Sequence, residues 1–398
     1  MFWFEEVPSP ETTGIAGFAD AAYTASNARA FEATPNTAQA AIIQTMSSGK
    51  VLCVHTERHE IVISGQNNAA IGPLNINFTT STAYGAIPVS PVRVNNYVTF
   101  VQKTGNKVRD LIFSFNEDQY KSTDLTFVAE HLLYSDYTLS SFGTIDSIKE
   151  IHSLDSLAGS SLLYAVTYSG RLLALTLDRD YKVNAWCEIQ LGGEAELSPL
   201  PFKGKVISAC SFSGGPFLPT YLVALVVRKV DGETRCFIEI FANAWEVQNP
   251  TITGGLNLLP TYLDCARNGI AATTAPTATW YTCLSGYENV FSGQEVSVIA
   301  DGNYIGEYTV GTDSRGTIVF DKEYRYVIIG YLYKGRIKTS GLEAGGQIGP
   351  SLGRIKRIDE MVIRFHKTLG CYYGPDDDNL QQLPLESSVN GQVQFFSG

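Results

Sequence analysis

The chain has 398 residues, enough for two or three domains with separate cores. It carries 29 Lys and Arg against 40 Asp and Glu, a net charge of −11, which argues against a protein that grips nucleic acid through clustered positive charge; an acidic wall could still face DNA without holding it. Hydrophobic residues make up 44%, yet no apolar run reaches the length of a transmembrane span, and the start MFWFEEVPSPE lacks the basic and apolar segments of a secretory signal.

In chain order, the first periodic stretch is Ser26 to Gln44, read as a helix. "KVLCVHT" and "HEIVISG" are short β-rich runs. "NNYVTFVQKTGNKVRDLIFSF" reads as a hairpin with its turn at Thr104-Gly105-Asn106. Asp124 is a cap candidate for a helix of one or two turns ending at Leu132. "SLLYAVTYSGRLLALTLDRDYKVNAWCEIQL" repeats the hairpin design, with turns at Ser169-Gly170 and Asp178 to Asp180, and "TYLVALVVRKVDGETRCFIEIF" repeats it with Asp231-Gly232 at the tip. Aromatic and glycine content, 21 Tyr, 20 Phe and 36 Gly, agrees with many short strands and tight turns. The fold class is therefore all-β with little helix, and the rhythm of hairpins over residues 45–245 fits a propeller or a sandwich.

Residues 251–279 are rich in Thr, Asn, Gly and Pro and read as a linker with one strand near Tyr262. Residues 280–335 then give four compact strands, a small β-barrel or sandwich of about 50 residues. Its turns fall at Asp301-Gly302, Asp313 to Gly316 and Asp321-Lys322. Residues 336–375 read as a closing strand pair and 376–398 as an acidic C-terminal extension over the surface or a neighbour; the first domain is taken as 1–250. The seven cysteines (Cys53, Cys187, Cys210, Cys236, Cys265, Cys283, Cys371) are scattered without a CxxC pair, which suits buried free thiols in a reducing cytoplasm.

Each catalytic or metal-binding pattern has a plainer structural reading. His55 and His59 lie beside Glu57 and Glu60, but a metal site would need a third ligand, and a solvated loop is the preferred reading. His131 follows Glu130 and is read as structural. "SFSGG" from Ser211 lacks the strand–elbow–helix context of a serine nucleophile, and "AGGQIGPSLG" from Ala344 lacks the lysine of a phosphate loop. Asp178/Asp180 and Asp376 to Asp378 sit in turns; the latter run could supply calcium ligands, but a solvated tail is preferred. No catalytic residue, metal or cofactor is assigned. The basic cluster Arg354, Lys356, Arg357 and Arg364 alternates with Ile355, Ile358 and Val362; it is read as the charged side of a strand or as a face meeting an acidic subunit or DNA phosphate.

The ordered segments Tyr84-Gly85, Pro91-Val92-Arg93, Phe100-Val101-Gln102, Gly105 to Asp110 and Asp124 to His131 resemble the signature of podovirus tail nozzle proteins. This family is also labelled tail tubular protein B-like or packaged-DNA stabilisation protein. "LLYAVTYSGRLLALTLDRDYKVNAW", "RCFIEIF", "GYENVFSGQEVSVIADG" and "GRIKRIDEMVIRFHKTLGCYYG" are similar to its later hairpins, barrel and closing strands, so the resemblance spans roughly residues 50–373. It implies a propeller-like domain and a small barrel, and a non-enzymatic virion protein made in the host cytoplasm. It further implies a homohexameric ring below the portal and its adaptor, neighbouring tail fibres or a plug or needle. That ring would retain the packaged genome and conduct it on ejection without binding it specifically. Six copies at −11 each carry −66, which suits a lumen that repels phosphate. Family members usually have a long N-terminal half, so this chain is expected to be shortened or to rely on a second nozzle chain to complete its blades. The alternative function is a receptor- or carbohydrate-binding tail component, a propeller lectin or a fibre-associated protein.

Overall fold

The computed structural model describes residues 43–48, 51–66, 71–72, 75–95, 97–114, 119–139, 143–155, 161–193, 205–213, 220–230, 233–241, 263–301, 303–333, 335–339, 360–365, 371–376, 378–383, 388–389 and 392–393. These residues are nearly all β, and none of them forms an α-helix. They divide into two compact units, the first drawn from 1–189, 196–227 and 236–245, the second from 190–195, 228–235 and 246–398.

In the first unit, strands β1 (Ile43–Ser48), β2 (Leu52–Thr56), β3 (Glu60–Gly65) and β4 (Ile76–Thr82) form an antiparallel sheet in chain order. The pattern repeats in β5 (Val92–Val94), β6 (Tyr97–Val101), β7 (Val108–Ser114) and β8 (Gln119–Asp124). A 3₁₀ segment, Phe127–Leu132, and a two-stranded ribbon of β9 (Tyr134–Leu139) and β10 (Gly143–Ile145) follow. The third sheet is β11 (Ile148–Asp155), β12 (Ser161–Thr167), β13 (Leu172–Asp178) and β14 (Val183–Ile189); the fourth is β15 (Val206–Ser213), β16 (Thr220–Val230) and β17 (Glu233–Ile240), of which residues 228–235 are counted with the second unit.

Each sheet packs on the next, which gives the propeller-like arrangement. Because side chains alternate across a strand, one face of each sheet can meet each neighbour. Cys53, Val62, Val98, Phe100 and Leu111 join the first two sheets. A larger core of Val101, Val108, Leu125, Ile148, Leu163, Leu173 and Leu175 joins the second and third. Each such aliphatic side chain contributes roughly 1.5–3 kcal/mol on leaving water. Between the third and fourth, Lys149 Nζ donates to Ile207 O (2.8 Å), and Glu150 accepts from Ser208 Oγ and Ala209 N (2.9 Å each).

The second unit holds β18 (Asp264–Asn268), β19 (Ile270–Ala271), β20 (Thr277–Tyr281), β21 (Glu295–Ala300), β22 (Asn303–Thr309), β23 (Thr317–Tyr324), β24 (Val327–Tyr331), β25 (Cys371–Tyr373), β26 (Gln381–Leu383), β27 (Ser388–Val389) and β28 (Gln392–Val393). A six-stranded sheet in the order β18-β24-β21-β22-β28-β27 and a three-stranded sheet β19-β20-β23 share a core of Trp280, Phe291, Val298, Ile318, Phe320 and Ile329. Among the described residues the two sheets pack as a sandwich and do not close into a barrel.

Several expectations are corrected. Of the stretch Ser26 to Gln44, residues 26–42 lie outside the described residues, and Ile43 and Gln44 begin β1, where Ile43 pairs opposite Thr56. The helix capped by Asp124 is instead the 3₁₀ segment: Asp124 ends β8, and its Oδ1 accepts from Thr126 N (2.9 Å) and Thr126 Oγ1 (2.7 Å), a local turn that precedes the helical residues. The supposed linker supplies β18, β19 and most of β20, because Trp280 and Cys265 join the core of this unit. Asp321-Lys322 is not a turn; it lies within β23, whose Ile318, Phe320 and Tyr324 face the core. The chain reverses at Arg325-Tyr326, where Asp301 Oδ1 accepts both backbone N–H groups (3.1 and 2.9 Å). The closing pair also differs. Glu360 to Phe365 carries no strand, and β25 pairs with β26 from the region read as an extension. Asp376 caps the turn between them, accepting from Asp378 N (3.0 Å) and Asn379 N (2.9 Å). Farther along, β28 adds to β22. None of the seven cysteines forms a disulfide, but Cys187, Cys210 and Cys236 are exposed rather than buried.

Candidate functional site

The residues that carry the family resemblance converge. Gly105 turns the chain between β6 and β7 with φ of 79°, and its carbonyl accepts from Ile148 N (2.8 Å) and Ser147 Oγ (3.2 Å). A side chain there would meet Ser147 Oγ at 2.2 Å, so the close approach of the second and third sheets needs glycine. From this turn β7 sends out Arg109 on one side and, with the adjoining Lys107, an array of charge.

Lys107 Nζ bonds Glu130 Oε1 (2.6 Å) and Asp124 Oδ2 (3.1 Å), which ties the 3₁₀ segment to the hairpin. The bonds to Glu130 and Asp124 hold the lysine above its ordinary pKa. Burial pushes Asp124 upward, but hydrogen bonds from Thr126 and Lys107 outweigh it and leave the carboxyl below its ordinary value. Arg109 is nearly buried. Its Nε donates to Gln102 Oε1 (2.6 Å), and its guanidinium lies 3.5 Å from the centre of the Tyr84 ring. Asp110 is fully buried; it accepts Thr123 N (3.1 Å) and pairs with Arg179, which also covers the Tyr97 ring at 4.0 Å. Burial lowers the Arg179 pKa. Leu125 O accepts from both Asn184 Nδ2 (3.0 Å) and Trp186 Nε1 (2.8 Å) of β14.

A second array lies at the Ser169-Gly170 turn. Buried Asp146 accepts Ser169 N (3.2 Å) and sits 3.6 Å from Arg171, which also reaches Leu132 O (2.6 Å) and Glu188 Oε2 (2.7 Å). Sequence reasoning missed Asp146 and Arg171. Neither residue belongs to a motif that marks it in the sequence.

These groups are arranged as locks. Each acid is engaged by a cation or by N–H groups, so the array fixes geometry.

The other sequence candidates fall elsewhere. His55 and Glu60 are not on a solvated loop: both are fully buried and pair opposite one another on β2 and β3, because the turn is confined to Thr56–His59. The His55 ring lies 4.6 Å from Phe100, and neither of its nitrogens has a partner among the described residues. Burial lowers its pKa to about 4 and raises that of Glu60, whose Oε2 accepts the Thr82 hydroxyl. His59 remains on the turn, half-buried. His131 lies in the last turn of the 3₁₀ segment and is exposed. Asp178 caps its turn through Tyr181 N (3.1 Å). Arg354, Lys356 and Arg357, like the Gly-rich run from Ala344, lie outside the described residues; Arg364 is exposed. In the second unit a cleft of about 450 Å³ is bordered by Gly193, Gln294, Glu295, Glu307 and Tyr331. Neither models of known protein families nor curated protein sequences match this chain.

Proposed function

We propose that this chain is a structural subunit of a short phage tail. It would form a homohexameric nozzle ring that extends the DNA channel below the portal and adaptor, retains the packaged genome and conducts it on ejection. The observation that supports the reading is that Lys107, Arg109, Asp124 and Glu130, separated in sequence, meet in one array of ion pairs, with the Gly105 turn and the Asp110–Arg179 pair as further locks on the same hairpin. Their role in the fold is to hold sheets at fixed positions, which is what a repeated wall element requires. The net charge of −11 supports a lumen along which phosphate slides without sticking.

The test is a reconstruction of the virion together with electron microscopy of the purified chain and its adaptor. Sixfold rings with this chain lining a channel of negative potential are expected. Trimers at a fibre, or a continuous basic lining, would overturn the reading.

A further inference from the structure

The face of the first sheet that meets the second carries one row of polar side chains across all four strands. Thr45 on β1 pairs opposite His55 on β2, His55 opposite Glu60 on β3, and Glu60 opposite Thr82 on β4. Cross-strand partners share a face, and the His55 ring lies 4.6 Å from Phe100 of β6, so the row is pressed into the junction. His55 and Glu60 are fully buried. Both His55 nitrogens, Glu60 Oε1 and Thr45 Oγ1 have no hydrogen-bond partner among the described residues. Glu60 Oε2 accepts from the Thr82 hydroxyl and from Tyr84 N (3.4 Å). The second sheet presents Phe100, Arg109 and Asp124 as one cross-strand row, with Arg93 opposite Val98 and Tyr120 in the same apolar cluster as Cys53. Arg109 is held by Gln102, Asp124 by Lys107 and Thr126, and Arg93 by Asn95 O. In the turn beyond, beside His59, Glu57 pairs with Arg58. None of these groups offers His55 an acceptor.

We propose that this row is an acid-released latch: protonation of His55 parts the first sheet from the second while the other cores stay closed. An imidazolium has two N–H donors and no acceptor. Here both would be buried without a partner against an aromatic ring, which costs far more than burying the neutral imidazole. Opening gives both donors to water. Burial holds the imidazole neutral down to about pH 4, against 6.5 ordinarily. Opening therefore becomes easier as pH falls below 6.5, with a ceiling of about 300-fold below pH 4. Glu60 acts in the opposite sense: burial raises its carboxyl, so its protonation favours the closed junction. The latch goes beyond the tail reading and does not depend on it.

Cys53 reports the opening, since it lies in the same junction, two residues along β2 from His55, and is 2% exposed. The full chain is treated with a limiting amount of a dithiodipyridine reagent at pH values from about 7 to about 5. Peptide mass spectrometry reads the labelling of Cys53 relative to exposed Cys187. This ratio follows the opening equilibrium while reclosing outruns labelling. It is expected to rise on acidification in the wild type, and by about 20-fold in Glu60→Gln, which lacks the opposing group. In His55→Gln it should stay level or fall. Cys283, buried in the second unit, should stay protected throughout. A ratio in Glu60→Gln that does not change with pH would overturn the proposal, because His55 would then take up its proton inside the closed junction. An equal rise in His55→Gln would overturn it by assigning the response to another group. Labelling of Cys283 in step with Cys53 would mean global unfolding and also overturn it. Hydrogen exchange of the wild type reaches the same decision without a substitution: amides of β2 and β6, and not those of β12 and β13, should lose protection as pH falls.

Discussion

Replacing Gly105 by alanine tests the claim that one turn sets the spacing of two sheets. The residue has φ of 79°, a conformation that costs an L-residue about 1 kcal/mol. The new methyl group would stand 2.2 Å from Ser147 Oγ and 3.1 Å from Ser147 Cβ. The hydroxyl must rotate away and lose its bond to Gly105 O, about 1 kcal/mol. The Cβ contact must then open by a few tenths of an ångström in a packed junction, about another 1 kcal/mol. The predicted loss is about 3 kcal/mol, read by urea denaturation with fluorescence. Adding Ser147→Ala removes the hydroxyl from the clash, so the double variant should be less destabilised than the sum of the singles by about 1 kcal/mol. A single variant within about 0.5 kcal/mol of wild type, or strict additivity, would refute the reasoning.

Two more outcomes follow from the buried ionisable groups. The folded-state pKa of His55 is about 4 against an ordinary 6.5, so its contribution is present above pH 6.5 and lost as pH falls toward 4, a loss of about 3 kcal/mol. Glu60, raised by burial, acts in the opposite sense and offsets part of it; His55→Phe should therefore flatten the decline in stability across that window in a series of denaturation curves. Arg179→Met leaves the fully buried Asp110 without its cation; since the arginine is a quarter exposed, the cost should be about 2–3 kcal/mol, and Asp110→Asn in that background should recover more than half of it by calorimetry.

Turn chemistry made much of the fold legible. Gly105 and the Ser169-Gly170 pair reverse the chain where expected, because glycine accepts the positive φ such reversals need. What failed was reading polarity as a break. Asp321-Lys322 looks like a turn but is an exposed part of β23, where Phe320 packs on Tyr308 and Tyr324 pairs opposite Thr277, contacts distant in sequence. The Thr-rich run before Trp280 reads as a linker because only Thr277 and Trp280 of β20 are fully buried. His55 and Glu60 misled in the opposite direction. Their neighbours Glu57 and Arg58 are polar, yet a three-bond turn around Thr56 confines the exposed part to three residues and returns both chains to the interior. The ionic array of β7 was visible as a motif, but its geometry was not, since Asp124, Glu130 and Arg179 reach it from separate elements.

The cost of that array is informative. A buried ion pair such as Asp110–Arg179 adds little net stability, because desolvation of both charges offsets most of their attraction; an apolar pair of the same volume would serve stability as well. Apolar contacts tolerate small slips, whereas a charge with defined hydrogen bonds tolerates few. In a propeller-like stack each junction sets the angle of the next sheet, so a tilt at one junction carries through to both ends. Locks of modest stability and narrow geometry are placed where such a tilt would enter: at the Gly105 turn between the second and third sheets, at the Asp110–Arg179 pair, and at Glu150 between the third and fourth.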